Sequence, residues 1–146
     1  MGSPLFELER RIVMALLLDT CAVIWVTQDE NMSAESTAAI NAEADAGRDI
    51  FISAITAWEF GLMGKSGRMI STGDMLSKLE AVNGFKFLDV SPRLFHDSCL
   101  LPGDLHNDPA DRILIATARE YGFQLVTRDA AILDYGKAGY VRCLAC

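Results

Sequence analysis

The 146-residue sequence lacks long apolar runs and an excess of positive charge. No stretch approaches the roughly 20 apolar residues of a membrane span, so we expect no membrane segment. Lysine and arginine number 13 against 20 acidic residues, which gives a net charge of -7. This balance argues against a broad basic face that binds nucleic acid by displacing counterions. Any chemistry on nucleic acid would therefore need a metal ion or a basic partner.

Histidine and cysteine are also scarce, with two and four residues. Cys143 and Cys146 form a single C-x-x-C without a second pair of ligands, which argues against a zinc site. A chain of this length that is 51% hydrophobic can build a core without disulfides. We therefore expect a reducing, cytoplasmic environment.

What the sequence contains is a regular alternation of short apolar runs and helical patterns. We interpret residues 14–146 as one domain and residues 1–13, before Met14, as an added leader or an upstream-start extension. Most strand-like runs are too uniformly apolar for a sheet with a solvated face, which favours a buried, mostly parallel sheet of about five strands in a three-layer α/β/α fold. The predicted strands are 15–19, 49–53, 85–90, 124–127 and 140–144. The predicted helices are 20–27, 34–46, 54–65, about 72–81, 92–100, 109–121 and a short one after Asp129.

The pattern of strands and helices indicates four acidic residues as candidates for one site. Asp19 ends the first strand, Glu59 lies in the helix after the second strand, Asp111 is in the first turn of the helix before the fourth strand, and Asp129 follows that strand. Because the carboxyl ends of parallel strands share one edge, ligands collect there. We expect the four carboxylates to lie close together.

Each of these acids also has a purely structural explanation. In the stretch HNDPADRILIATA, residues 106–118, Asp108 fits the N-cap of a helix whose first residue is Pro109. Asp111 fits the first turn, where the helix dipole favours an acid. Asp19 and Asp129 could likewise serve only as caps, and Glu59 could be an exposed helical residue.

A cluster of carboxylates has a specific chemical consequence. Crowded carboxylates repel one another and raise one another's pKa values unless a cation neutralises them. Mg²⁺ and Mn²⁺ take oxygen ligands, and one or two such ions can activate water for attack on a phosphodiester. The cluster therefore predicts metal-assisted hydrolysis, which would let an acidic protein cut an acidic polymer.

Two further groups of residues complete the predicted site. Hydroxyl residues at strand ends could orient carboxylates or water, although capping explains them equally well: Thr20, Ser53 and Thr127. Basic residues near the acidic positions could hold the substrate: Lys65, Arg68, Arg112 and Arg128. Arg112 could instead pair with a neighbouring carboxylate, and solvated surface charge is the simpler explanation for Lys65 and Arg68. Trp25 and Trp58 lie on apolar helix faces and are expected in the core or in a dimer contact.

Four segments, in this order, carry a resemblance to a known family: LLLDTCAVIW, ISAITAWEFGLM, HNDPADRILIATA and LVTRD. They resemble the signature segments of the PIN-domain family, specifically the VapC-type ribonuclease toxins of bacterial toxin–antitoxin pairs, across residues 15–144. The resemblance implies a Mg²⁺- or Mn²⁺-dependent endoribonuclease that cuts tRNA, rRNA or mRNA. It implies that Asp19, Glu59, Asp111 and Asp129 bind the metal, with Asp108 as an accessory. It further implies a homodimer and inhibition by a small VapB-type antitoxin that places a basic side chain near the acidic site.

Three other classes are compatible with parts of the pattern. A receiver-type signalling domain needs an adjacent pair of acids after the first strand, and this chain has one. A phosphatase of the haloacid-dehalogenase type needs D-x-D there, and Cys21 occupies the second acidic position. A PIN-like module that binds RNA or protein without catalysis remains an alternative, which loss of activity in Asp19→Asn would exclude.

Overall fold

A computed structural model describes residues 15–28 and 30–146. The interpretation of residues 1–13 as a leader falls outside the described residues. The helices are α1 (Thr20–Thr27), α2 (Ala34–Asp45), α3 (Ala54–Lys65), α4 (Thr72–Ala81), α5 (Pro92–Ser98), α6 (Pro109–Tyr121) and α7 (Ala130–Lys137). The strands are β1 (Leu16–Leu18), β2 (Ile50–Ser53), β3 (Phe85–Leu88), β4 (Gln124–Thr127) and β5 (Arg142–Ala145).

The five strands form one sheet in the order β3-β2-β1-β4-β5, and every pairing is parallel. This confirms the predicted three-layer α/β/α fold. The central strand β1 pairs through Leu17 with Phe51 on one side and Leu125 on the other. Strand order reverses at β1, where β2 departs in one direction and β4 in the other. Ligand sites of open parallel sheets form at such a reversal.

Helices cover both faces of the sheet and produce two hydrophobic cores. Leu17 packs with Ile113 of α6 and Ile132 of α7 in one core. Its neighbours Leu16 and Leu18 point to the opposite face, toward residues of α1, α3 and α4. All three leucines of β1 are at most 2% exposed. Truncating any one of them to alanine would therefore cost about 2–5 kcal/mol, so the strand that carries the site edge is rigidly held.

Most predicted boundaries agree with the structure, and the differences have local causes. β5 starts at Arg142, two residues later than predicted, because the chain turns at Gly139, which has φ of 93°. The ring of Tyr140 stacks on that of Tyr135, with centroids 4.7 Å apart, and so belongs to the turn packing and not to the strand. Helix α5 ends two residues early and β3 ends at Leu88, which leaves longer connections before α5 and α6.

Within residues 15–28 and 30–146, none of the helices combines the length and the apolar character needed to cross a lipid bilayer.

Candidate active site

A cleft of about 300 Å³ opens at the carboxyl ends of β1 and β4, between α1, α3, α6 and α7. All four predicted metal-binding acids line it. Its walls are formed by Asp19, Thr20, Cys21, Trp25, Glu59, Met63, Asp111, Arg128 and Asp129. The structure therefore brings together acids that are separated by up to 110 positions in the sequence, although each also occupies a helix start or a helix face.

Asp19 lies deepest in the cleft and is 7% exposed. It is the N-cap of α1, where one carboxylate oxygen accepts a hydrogen bond from the Ala22 N–H at 2.7 Å. The other oxygen accepts one from the Thr127 hydroxyl at 2.6 Å. Burial raises the pKa of Asp19, the two hydrogen bonds oppose that rise, and the charge of Asp129 adds to it. Asp19 is thus a fixed carboxylate with both oxygens already oriented.

Thr127 connects two of the acids. Its hydroxyl donates to Asp19, and its oxygen accepts from the backbone N–H of Asp129 at 3.1 Å. Asp129 is the N-cap of α7, with its side chain accepting from the Ile132 N–H at 3.0 Å. Since Thr127 is fully buried and ends β4, it fixes the spacing between the ends of β1 and β4. The structure thus places the Thr127 hydroxyl between Asp19 and the backbone of Asp129.

Glu59 reaches the cleft from the middle of α3. Its Oε1 accepts a hydrogen bond from the Thr20 hydroxyl at 2.5 Å, and the Thr20 oxygen lies 3.0 Å from that of Thr56. Because the Thr20 proton is given to Glu59, Thr56 donates to Thr20. Burial raises the pKa of Glu59, with Asp108 and Asp19 adding repulsion and the Thr20 bond opposing them. Thr56, which is completely buried, was not among the predicted site residues.

Asp108 and Asp111 take different positions at the start of α6. Asp108 is the N-cap of α6 and accepts from the Asp111 N–H at 3.0 Å, with Pro109 in the first turn. The Asp111 side chain turns into the cleft instead. Burial, together with the charges of four neighbouring acids, raises the pKa of Asp111 to about 7; those acids are Asp108, Asp129, Glu59 and Asp19. The charge of Asp111 is therefore disfavoured both by burial and by all four neighbouring acids.

His106 is a residue of the site that sequence reasoning missed. One potential ligand atom each from His106, Asp111 and Asp129 lie within 4.8 Å of one another. The Nε2 atom of His106 is 3.4 Å from Oδ2 of Asp111. The sequence feature that could have pointed to His106 is its position two residues before the helix cap Asp108. At that distance its ring can fold back over the start of α6.

The predicted substrate-binding cations do not all face the cleft. Lys65 and Arg68 are exposed at the end of α3 and just beyond it. Arg128 lines the cleft and lies over the ring of Trp25 at 3.7 Å. Its Nε donates to the Cys146 carbonyl at 2.9 Å, and a terminal nitrogen donates to the Asn31 carbonyl at 3.1 Å. Arg128 thus contributes charge to the site while its geometry is fixed by the backbone.

Arg112 requires a correction. It is not among the residues that line the cleft, and it pairs with no carboxylate within the described residues. Its guanidinium donates to four backbone carbonyls of the connection between α5 and α6, those of Ser98, Cys99, Leu105 and His106. One residue along a helix rotates the side chain by about 100°, so Arg112 points away from the direction that Asp111 takes. Its role is to anchor this connection.

Ser53 and the two tryptophans resolve alternatives that the sequence left open. Ser53 is the N-cap of α3, where its hydroxyl accepts from the Ile55 N–H at 3.1 Å, so the capping alternative holds for it. Trp25 is partly buried and packs against the core that contains Leu16 and Leu18, as expected, and it also forms a wall of the cleft under Arg128. Trp58 is 53% exposed and lies outside both hydrophobic cores.

The fold and the cleft together define a class of protein: a three-layer α/β/α domain with carboxylates from four chain segments at the edge of an all-parallel sheet. Comparison with known families narrows this class. The PIN domain family model matches residues 16–138, and the chain belongs to that family.

Relatives and solved structures agree with this assignment. The chain is 29% identical over 122 residues to Ribonuclease VapC22 of Mycobacterium tuberculosis (strain ATCC 25618 / H37Rv), a match that covers 82% of this chain and 91% of the relative. VapBC2 from Rickettsia felis, solved with a DNA fragment from its promoter, aligns with a TM-score of 0.64 at 16% identity over 90% of this chain and 98% of that one. A toxin–antitoxin complex from Klebsiella pneumoniae aligns with a TM-score of 0.55 at 23% identity over 79% and 87%.

Proposed function

We propose that this protein is a Mg²⁺- or Mn²⁺-dependent endoribonuclease that hydrolyses RNA phosphodiester bonds, and that it is the toxin of a cytoplasmic toxin–antitoxin pair. The observation that carries the proposal is the convergence of Asp19, Glu59, Asp111 and Asp129 on one cleft. Membership of the PIN family and the similarity to a relative named as a ribonuclease support the reaction type. A receiver-type domain would not need acids from four separate segments.

The residues of the cleft fit a hard divalent cation. The donors are carboxylate oxygens, which Mg²⁺ and Mn²⁺ prefer, and no cysteine or histidine tetrad suited to zinc occurs among the described residues. Asp111 has a pKa of about 7 because burial and its acidic neighbours disfavour its charge. A bound cation would remove this penalty, so the site gains more from a cation than four isolated carboxylates would.

The surrounding residues hold the carboxylates for this task. The Ala22 N–H and the Thr127 hydroxyl fix both oxygens of Asp19, and the Thr20 hydroxyl fixes Glu59. Ligating carboxylates that are themselves hydrogen-bonded keep their orientation, which raises cation affinity. A Mg²⁺ or Mn²⁺ ion held by these carboxylates would supply Lewis acidity for activating water and for stabilising charge on the phosphate. A carboxylate at the cleft wall can accept the proton of the attacking water.

Positive charge for the RNA backbone comes from scattered residues. Lys65 and Arg68 are exposed near the end of α3, the helix that also carries Glu59, and Arg128 lines the cleft. We propose that these three contact substrate phosphates, and that Arg112 does not because its guanidinium is engaged by backbone carbonyls. A net charge of -7 predicts that affinity for RNA depends strongly on the bound cation.

The same acidic cleft suits a basic inhibitor. We propose a VapB-type antitoxin that places a basic side chain near the four acids, because such a charge would relieve their repulsion as a metal ion does. The similarity to toxin–antitoxin structures supports this partner. We also propose a homodimer, which light scattering on the purified protein would detect.

Cleavage of purified tRNA, rRNA and mRNA fragments tests the function directly. The parent protein should produce discrete fragments with Mg²⁺ or Mn²⁺ and none with EDTA, and Asp19→Asn and Asp111→Asn should be inactive. Asp74→Asn is the matched control, since Asp74 is also an acid in the first turn of a helix but does not line the cleft. Cleavage by folded Asp19→Asn would contradict the proposal. No cleavage under any metal, with RNA still bound, would favour a binding module.

A further inference from the structure

His106 belongs to the connection between α5 and α6 and is held there from two sides. Its backbone carbonyl accepts a hydrogen bond from a terminal nitrogen of Arg112 at 3.1 Å. Its ring nitrogen Nδ1 accepts one from the Asp108 N–H at 3.2 Å. Both contacts come from the first turn of α6 or its cap, so the ring is positioned relative to the helix that carries Asp111.

The Nδ1 contact determines where the ring proton lies. A backbone N–H can only donate, so Nδ1 must present its lone pair. In a neutral imidazole the hydrogen is then on Nε2. Nε2 is 3.4 Å from Oδ2 of Asp111. An ionised carboxylate has no hydrogen to donate, so Oδ2 is an acceptor. The ring therefore presents a donor to the carboxylate. Contacts of this kind are often long without ligand and shorten when it binds.

From this geometry we infer that His106 is a positioning residue for Asp111: its Nε2–H holds Oδ2 and sets the rotation of the carboxylate in the acidic cleft. The alternative, direct ligation of a cation by Nε2, would require the lone pair that the Asp108 contact places on Nδ1. The inference rests on the proposed function, because Asp111 is a ligand only if the cleft binds a cation.

The tautomer of His106 can be measured without any variant of the site. Long-range ¹H–¹⁵N NMR spectra of the metal-free protein should show two imidazoles, and His96→Asn identifies the signal of the other one, an exposed residue next to Asp97. His106 should have its proton on Nε2 when neutral. A proton on Nδ1 would overturn the inference.

Cation binding tests the consequence. Isothermal titration with Mn²⁺ should give about 10–100-fold weaker binding for His106→Asn, whose side chain can still accept from Asp108 but cannot reach Asp111. His106→Gln extends an amide N–H toward the Nε2 position and should restore affinity to within about threefold of the parent. His96→Asn should bind as the parent does. Unchanged affinity in folded His106→Asn would overturn the inference.

Electron spin-echo spectra of the Mn²⁺ complex separate the two possible roles. The parent should show no coupling from a directly bound imidazole nitrogen, and a coupling that disappears in His106→Asn would make His106 a ligand and overturn the positioning role. If the parent binds no Mn²⁺ at all, the proposed function fails, whereas the tautomer measurement still decides the orientation of His106.

Discussion

Asp111→Asn should make the metal-free protein more stable at alkaline pH while removing its affinity for cations. In the folded protein, burial and four neighbouring carboxylates raise the pKa of Asp111 from 3.8 to about 7. An acid whose pKa is higher in the folded state binds protons more tightly there, so ionising it opposes folding. The penalty is absent below about pH 4, grows between about pH 4 and pH 7, and is complete above about pH 7. Asparagine keeps the shape and removes the charge.

The magnitude follows from the same values. A difference of about three pH units corresponds to about 4 kcal/mol as an upper limit. The Asp111 side chain is 23% exposed and the cluster opens to solvent, so screening reduces this to about 2 kcal/mol. Loss of the favourable contact with the helix dipole subtracts about 0.5–1 kcal/mol. We expect a net gain of about 1 kcal/mol at pH 8, or about 2–4 °C in Tm for a chain of this size.

Urea unfolding in EDTA between pH 4 and pH 8 measures this gain. The stability difference between Asp111→Asn and the parent should grow with pH, whereas Asp74→Asn, which replaces an exposed acid in the first turn of α4, should give no gain in stability at any of these pH values. Adding Mn²⁺ should raise the Tm of the parent and leave that of Asp111→Asn unchanged, because only the parent binds it. A variant that is less stable than the parent at pH 8 in EDTA, or a difference that does not vary with pH, would refute the electrostatic reasoning.

Three further substitutions test other parts of the structure. Thr127→Val removes the hydroxyl that donates to Asp19 and should lower Mn²⁺ affinity about 10–100-fold in calorimetric titration, whereas Thr127→Ser should bind nearly as the parent does. Equal affinities of the Thr127→Val variant and the parent would contradict this. Arg112→Ala should lower the free energy of unfolding by about 2–3 kcal/mol, because four backbone carbonyls lose a charged donor. A large rise in KM for RNA without loss of stability would instead favour a contact between Arg112 and the substrate. Gly103→Ala should destabilise the protein by about 1–3 kcal/mol in thermal unfolding, because Gly103 has φ of 75° and the new methyl group would lie 2.5 Å from the Tyr140 ring. An unchanged Tm would contradict this and show that the ring moves aside without cost.

The acidic site was predictable because each acid ends a strand or stands on a helix that begins at the carboxyl edge. Asp19 directly follows an apolar run, and Asp129 follows another after one intervening residue. Glu59 and Asp111 occupy helices whose bounds, Ala54–Lys65 and Pro109–Tyr121, match the prediction. Hydrophobic periodicity and helix-capping residues predict where each acid lies along its helix or strand to within one helical turn. The parallel arrangement then places them on one side of the sheet without any information on side-chain contacts.

Contacts made by loops and by long side chains were not predictable in the same way. Arg112 follows Asp111 in the sequence, yet its length lets it reach carbonyls 6–14 residues away, which no periodicity reveals. His106 contacts the site only because the connection between α5 and α6 folds back over the helix start. Thr56 is connected to the cleft through its hydrogen bond with the Thr20 hydroxyl. These residues depend on tertiary packing and not on local pattern.

The pairing of β1 with β4 has a consequence for the time at which the protein becomes active. Asp19 takes its second hydrogen bond from Thr127, 108 residues further along the chain. A nascent chain emerges from the ribosome with its N-terminal part first. Until β4 and the start of α7 have been synthesised, Asp19 and Glu59 have neither Thr127 nor Asp129 beside them. The chain therefore has no complete acidic cleft during most of its own translation, so the proposed RNA cleavage requires a chain that has been synthesised at least through Asp129.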